Sequence, residues 1–172
     1  VFMAGSFMEP QAIPESVMQA SAAAAQAAAL LRDSRGTLVT PKPEYEERDV
    51  SSEEARIGVF ICHCGINIGS QVDVSAVVEY AKTLDNVVFA SENLYTCSED
   101  TQIKLGEIIE KEKLNRVIVA ACTPRTHEPL FKKSMAEAGL NPHLLEMTNI
   151  REHCSWVHKD PEMATLKAKE LI

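Results

Sequence analysis

From Arg56 onward, apolar and polar positions arrange themselves in alternating blocks. Ile57-Gly58-Val59-Phe60-Ile61 is a short unbroken apolar run, the pattern of a strand buried on both faces. Asp73 to Leu84 then has helical spacing, with Val74, Val77, Val78 and Ala81 on one side and Asp73 at the positive end of the dipole. The order repeats. Val87 to Ala90 predicts a second strand, and Ser98 to Lys113 a second helix with Ile103, Leu105, Ile108 and Ile109 apolar. Arg116 to Ala121 predicts a third strand, Glu128 to Ala138 a third helix closed by Gly139, and His143 to Met147 a weaker fourth strand. Such β-then-α units with short connections imply right-handed crossovers. The expected fold class is α/β, a small doubly wound parallel sheet with helices on both faces.

The region before Arg56 has a different character. Residues 1–35 read as a unit of their own, with a strand-like Val1-Phe2-Met3-Ala4, a loop holding Pro10 and Pro14, and a helix from about Ser16 to Arg32. Its N-cap falls within Pro14-Glu15-Ser16, and its many alanines favour helix and allow a backbone or a flat cofactor to approach closely. Residues 36–55, with Pro41, Pro43 and six acidic side chains, predict an extended, exposed linker. Residues 56–172 are the cysteine-bearing domain. Val1-Phe-Met-Ala-Gly reads as starting within a strand, and Met163 to Ile172 runs out as a helix without a C-cap. The chain is therefore expected to be cut from a larger protein at both ends.

A chain of 172 residues is near one domain in size. Its 17 basic and 25 acidic residues give a net charge of −8 with no Lys/Arg run, which excludes a general nucleic-acid surface. No signal-peptide pattern opens the chain, and Ala20 to Leu31 is far short of the roughly 20 apolar residues a membrane span needs. No membrane insertion is expected, and the location expected is cytoplasmic. In a reducing compartment, five cysteines, an odd number, point to metal or redox use over a disulfide framework.

Those cysteines carry the chemistry. Cys62 and Cys64 follow the first strand, Cys97 precedes the second helix, Cys122 ends the third strand, and Cys154 lies beyond the fourth. All five are expected at one rim of the sheet, where ligands bind in doubly wound folds. Cys97 and Cys122 stand before helix starts, where free N–H groups favour thiolate, and Thr123-Pro124 is a good N-cap followed by proline at the first helical position. A single strand-end cysteine is ordinarily a small buried apolar residue; five at corresponding ends suggest soft-metal ligation by zinc or by iron and sulfide. The spacing, C-x-C followed by gaps of 32, 24 and 31 residues, matches no short ligand motif. Cys64 to Ser70 has the outline of a phosphate-cradling loop but lacks the arginine that phosphoryl transfer to a thiolate wants. His63, His127, His153 and His158 fit hydrogen-bonding or packing roles better than ligation. Arg125, Arg151 and Lys159 are available to offset thiolate charge, and Trp156 reads as a cap on the core.

Longer words in the sequence carry a resemblance. Ile57-Gly-Val-Phe-Ile-Cys-His-Cys-Gly-Ile-Asn-Ile-Gly69, Tyr95-Thr-Cys-Ser98, Asn115-Arg-Val-Ile-Val-Ala-Ala-Cys-Thr-Pro-Arg-Thr-His-Glu-Pro129 and Asn149-Ile-Arg-Glu-His-Cys-Ser-Trp-Val-His158 resemble the N-terminal domain of the A-type subunit of heterodisulfide reductase. Phe2-Met-Ala-Gly5 and Ile13-Pro-Glu-Ser-Val-Met-Gln-Ala-Ser-Ala22 resemble the last strand and helix of that family's FAD-binding, thioredoxin-reductase-like domain. The order, a FAD-domain tail before the cysteine domain, is that of two such modules fused in tandem.

The resemblance implies a [4Fe-4S] cluster exchanging electrons with flavin. It also implies a complex with other iron–sulfur subunits and often a hydrogenase or formate dehydrogenase. Ser16 and Val17 would stand nearest the flavin, although the glycine-rich FAD fingerprint is missing. A cubane needs four ligands and five cysteines are offered, so one of Cys62 and Cys64 is expected beside the cluster. Cys97, Cys122 and Cys154 are the firmest candidates. The rival readings are a structural zinc site and a thiol–disulfide enzyme using Cys62 and Cys64.

Overall fold

The computed structural model describes residues 1–41 and 43–172; Lys42, within the expected linker, lies outside the described residues. The chain forms two compact units, Val1–Pro43 and Glu44–Ile172.

In the first unit the main element is helix α1 (Ile13–Leu30), and none of its residues is buried within the unit. It starts three residues before Ser16 because Pro14 is pre-set for a first helical turn, with Ala12 as N-cap. The expected strand at Val1 to Ala4 does not form, for no partner strand takes up its backbone groups here. A turn does form at Gly5, at φ +66°, and the Gly5 N–H donates to Gln19 Oε1 at 2.8 Å.

The second unit is built on a four-stranded sheet in the order β2-β1-β3-β4, from β1 (Ile57–Cys62), β2 (Val87–Asn93), β3 (Arg116–Ala121) and β4 (Leu145–Asn149). Every pairing is parallel. Between the strands run α2 (Ile66–Gly69), α3 (Val74–Ala81), α4 (Glu99–Lys111) and α5 (Pro124–Glu137), and α6 (Pro161–Leu171) follows β4. Right-handed crossovers put α3 on one face and α4 and α5 on the other. The packing agrees: α3 lies against α6, and α4 against α5. The α/β, doubly wound architecture is thus the one expected.

Boundaries moved where local chemistry outweighs apolar spacing. The Asp73 side chain accepts from the Ala76 N–H at 3.0 Å, a cap contributing about 1 kcal/mol, so α3 begins one residue later. Helix α5 begins at Pro124 with Thr123 as N-cap, the start expected from proline at the first helical position, ahead of the apolar span from Glu128. Ile103 of α4 is exposed, whereas Leu105 and Ile109 are fully buried. The fourth strand starts at Leu145, since Pro142–Leu144 form a 3₁₀ turn capped by Asn141. Trp156 does not cap the core; it is 58% exposed.

Residues 44–55 contain neither helix nor strand, yet they are not a free linker. Arg48 donates its backbone N–H to the Gly139 carbonyl at 2.8 Å and its guanidinium to the Leu114 carbonyl at 2.9 Å. Val50 joins the core, and Tyr45 Oη donates to Glu137 Oε1 at 3.0 Å. Loop carbonyls at the base of the sheet needed donors, and this segment supplies them.

Gly58 on β1 has no room for a side chain: a Cβ there would run into Leu114 Cδ1, itself fully buried. Gly58→Ala is expected to destabilise the unit by about 1–3 kcal/mol through overpacking. Urea unfolding should show a lower midpoint at unchanged slope.

Candidate metal centre

The chain leaves β1 toward β2 and leaves β3 toward β4, in opposite directions along the sheet. Where neighbouring strands diverge in this way, their carboxyl ends open a crevice, the usual ligand site of such sheets. Cys62 is the last residue of β1, and Cys122 follows the last residue of β3. Side chains alternate along a strand, so Cys62 shares a face with Gly58 and Phe60. Leu114, which follows α4, packs over Gly58, so this is the α4/α5 face. Cys97 and Cys122 each stand immediately before the N-cap of a helix on that face, Ser98 for α4 and Thr123 for α5. Four thiols thus share one corner of the molecule.

Local backbone shapes the corner. Cys64 and Gly65 both have positive φ, +47° and +57°. The left-handed pair turns the chain sharply off β1, and Tyr95 Oη fills the space a Cβ on Gly65 would take. The turn points the Cys64 N–H back at the Cys62 sulfur, 3.2 Å away, and the Thr96 N–H reaches the same sulfur at 3.4 Å. Both are the kind of donor that stabilises a metal-bound thiolate.

Cys154 is placed differently. It lies in a π-helical turn, Arg151–Ser155, fully buried, and its thiol donates to the Ala164 carbonyl of α6 at 3.0 Å. That helix packs with α3, on the face of the sheet away from α4 and α5. The five-fold convergence expected at one rim therefore stops at four, because the turn after β4 directs this side chain to the opposite layer.

Electrostatics departs from expectation as well. Burial pushes the Cys97 thiol up, and the nearby Cys62 and Cys64 add to that. Burial also raises Cys122, with Arg151 opposing it, and it raises Cys154. Desolvation outweighs the backbone hydrogen bonds that would favour thiolate at these positions, so burial favours the neutral thiol.

Of the three cations considered, Arg151 is the one that meets a sulfur. Its guanidinium donates to Cys64 Sγ at 3.1 Å and to Glu152 Oε1 at 2.8 Å, and lies 4.9 Å from the centre of the Trp156 ring. Burial opposes the Arg151 charge, but hydrogen bonds to Glu152 and Cys64 hold its pKa above the ordinary value. Burial likewise works against the Glu152 carboxylate, and the bond to Arg151 keeps its pKa below the usual range. Among the histidines, His63 bonds Glu92 at 3.0 Å, and His158 bonds the Cys154 carbonyl at 2.9 Å.

Asn149, Glu152 and Thr96 belong to the site although neither the apolar pattern nor the cysteine spacing marks them. Asn149 Oδ1 accepts from the Arg151 and Glu152 N–H groups at 3.2 and 2.9 Å. An asparagine two and three residues before such a pair is a local turn signal that could have flagged it. Thr96 carries no such local turn signal and is marked only by lying in the Tyr95-Thr-Cys-Ser98 word.

Among the described residues, no three His, Cys, Asp or Glu side chains converge as ligands of a single metal do. Asn93 Nδ2, at the last residue of β2, and Thr96 Oγ1, in the segment that follows, are buried without a hydrogen-bond partner. Orphaned polar atoms beside thiols are what sulfide acceptors or a bound polar group would satisfy. The residues present fit an iron–sulfur cluster.

Comparison with known proteins bears on the same segment. The chain is 58% identical over 124 residues to the second of the iron–sulfur A-type subunits of CoB–CoM heterodisulfide reductase in Methanopyrus kandleri, covering 72% of this chain and 19% of that protein. A stretch of 124 residues in a chain of 172 has to include Cys62, Cys64, Cys97 and Cys122 wherever it begins. Through this segment the chain belongs to the family of heterodisulfide reductase A-type subunits. It is 54% identical over 128 residues to the corresponding subunit of the H2:CoB-CoM heterodisulfide,ferredoxin reductase of Methanothermobacter marburgensis, 74% of this chain and 19% of that protein. It is 55% identical over 118 residues to the corresponding subunit of the ferredoxin/F420H2-dependent CoB-CoM heterodisulfide reductase of Methanosarcina acetivorans, 68% and 15% of the two chains. The chain spans about a fifth of the length of the first two relatives. No protein-family model matches it. No helix among the described residues is long and apolar enough to cross a membrane.

The raised thiols set a pH dependence for the metal-free chain. A folded pKa above the unfolded value of about 8.5 leaves stability intact below that pH, and stability is lost as pH rises toward the folded value. Melting temperature is expected to fall as pH rises above about 8.5 in metal-free protein, and Cys122→Ser should flatten part of the slope.

Proposed function

We propose that the chain carries electrons through a [4Fe-4S] cluster held by Cys62, Cys64, Cys97 and Cys122, within a heterodisulfide-reductase-like oxidoreductase. The observation that supports it best is the meeting of four thiols from three separate segments at the switch point of a sheet whose family is redox-active. Such a cluster, when bound, supplies a one-electron relay. The chain's part is to hold it. Backbone N–H groups of Cys64 and Thr96 bond the Cys62 sulfur, Arg151 bonds that of Cys64, and burial restricts water around Cys62 and Cys122. Cys154, set against α6, is the thiol left over, in place of Cys62 or Cys64.

In the first unit, we read α1 as the closing helix of a FAD-binding domain, with Ser16 and Val17 in its first turns, where N–H groups would face a reduced flavin. A helix that buries none of its residues within its own unit is one that packs on something larger. The reading extends to partners. Relatives are named for H2, ferredoxin and F420H2, so other iron–sulfur subunits, with a hydrogenase or formate dehydrogenase, are the expected company. The location that goes with these partners is the cytoplasm.

Anaerobically purified protein should be brown and contain about four irons and four sulfides per chain. Cys62→Ser and Cys122→Ser should lose most of both, while Cys154→Ser, which keeps a donor for Ala164, should retain them. A colourless protein holding one zinc would overturn the assignment in favour of a structural site. Loss of the cluster in Cys154→Ser with retention in Cys62→Ser would overturn the ligand set.

A further inference from the structure

Two side chains of opposite charge reach the thiol corner from one short turn, and neither is accounted for by cluster ligation. Arg151 Nη1 lies 3.1 Å from Cys64 Sγ. Its Nε and Nη2 hold Glu152 Oε1 at 3.2 and 2.8 Å. The other carboxylate oxygen, Oε2, accepts the N–H of Thr123 at 3.0 Å, and Thr123 is bonded directly to Cys122. Positive charge therefore sits on one thiol and negative charge beside another.

The arrangement is rigid. Asn149 Oδ1 at the end of β4 pins the N–H groups of both residues, and Trp156 covers the guanidinium from one side. Only 18% of the Arg151 side chain and 25% of that of Glu152 are exposed. Charges held this far from water are screened less than surface pairs.

We propose that Arg151 and Glu152 are positioning residues that form a charge couple and set the reduction potential of the cluster, Arg151 raising it and Glu152 lowering it. The inference rests on the cluster reading above. Reduction adds one electron to the bound group and makes or breaks no bond, so the site becomes one charge more negative. A fixed cation favours that state and a fixed anion disfavours it. Arg151 also orients Cys64 directly, whereas Glu152 acts on the corner through Arg151 and through the start of α5.

The two residues should thus shift the potential in opposite directions, which general loosening of the fold would not do. The test is a dithionite titration with redox mediators, followed by electron paramagnetic resonance, on the anaerobically purified 172-residue chain. Iron and sulfide content are measured alongside, and the signal is taken per loaded cluster. In Arg151→Gln, the reduced-to-oxidised ratio at a given potential should fall about tenfold, a shift of about 59 mV to the negative for one electron. Glu152→Gln should move it the other way, and Arg151→Lys, which keeps the charge, should stay within about threefold of wild type. If Arg151→Gln does not load, Arg151→Lys and Glu152→Gln decide the matter. Shifts of the same sign, or a Glu152→Gln potential equal to wild type, would overturn the couple while leaving the cluster in place. Wild-type chain without iron and sulfide would overturn the cluster reading and the couple together.

Discussion

The divergence of the chain at the β1/β3 boundary is the constraint on which the rest of this structure depends. Parallel pairing forces every connection to cross from the carboxyl end of one strand to the amino end of the next. Because β1 sends its connection one way and β3 sends its own the other, no backbone fills the space beyond their ends. Cys62 and Cys122 border that space, and the segment after β2 carries Cys97 into it. A sheet with strands in simple sequential order would have no such gap.

Within the crevice, two demands compete. Burial makes a good container for a redox group, since it excludes water, but it also keeps thiols protonated. At Cys97 and Cys122 burial prevails over the guanidinium of Arg151 and over backbone hydrogen bonds. The protein thus holds the thiols in reserve. On the proposed reading ionisation is left to the bound cluster, and loading such a site would release protons. The Cys62 sulfur accepts hydrogen bonds from the N–H groups of Cys64 and Thr96, which border the same crevice.

Much of the fold could be read from the chain. The apolar run from Ile57 and the one from Arg116 became strands at those positions, because a five-residue apolar block has no amphipathic alternative in a small domain. Helix starts were legible where a capping or pre-set residue marks them, as at Thr123-Pro124, while at Asp73 the cap stands one residue before the helix that the apolar spacing began there. The segment from Tyr45 to Ala55 looked like linker because its value lies in carbonyls it satisfies elsewhere, at Leu114 and Gly139. Distant partners leave no periodic mark. The same is true of Asn149 and Thr96, whose roles depend on which strand ends come together.

The sequence by itself determined the strand and helix order, the parallel sheet and the appearance of cysteines at successive strand ends. These follow from local periodicity and chain connectivity, which any few consecutive residues report. Only the tertiary structure decided which face of the sheet each cysteine serves. One extra residue in a π-helical turn rotates Cys154 toward α6, while Arg151, three residues earlier in the same turn, reaches Cys64. Direction around a turn is fixed by hydrogen bonds with the layer it packs on, and that layer is built from residues far away in the chain.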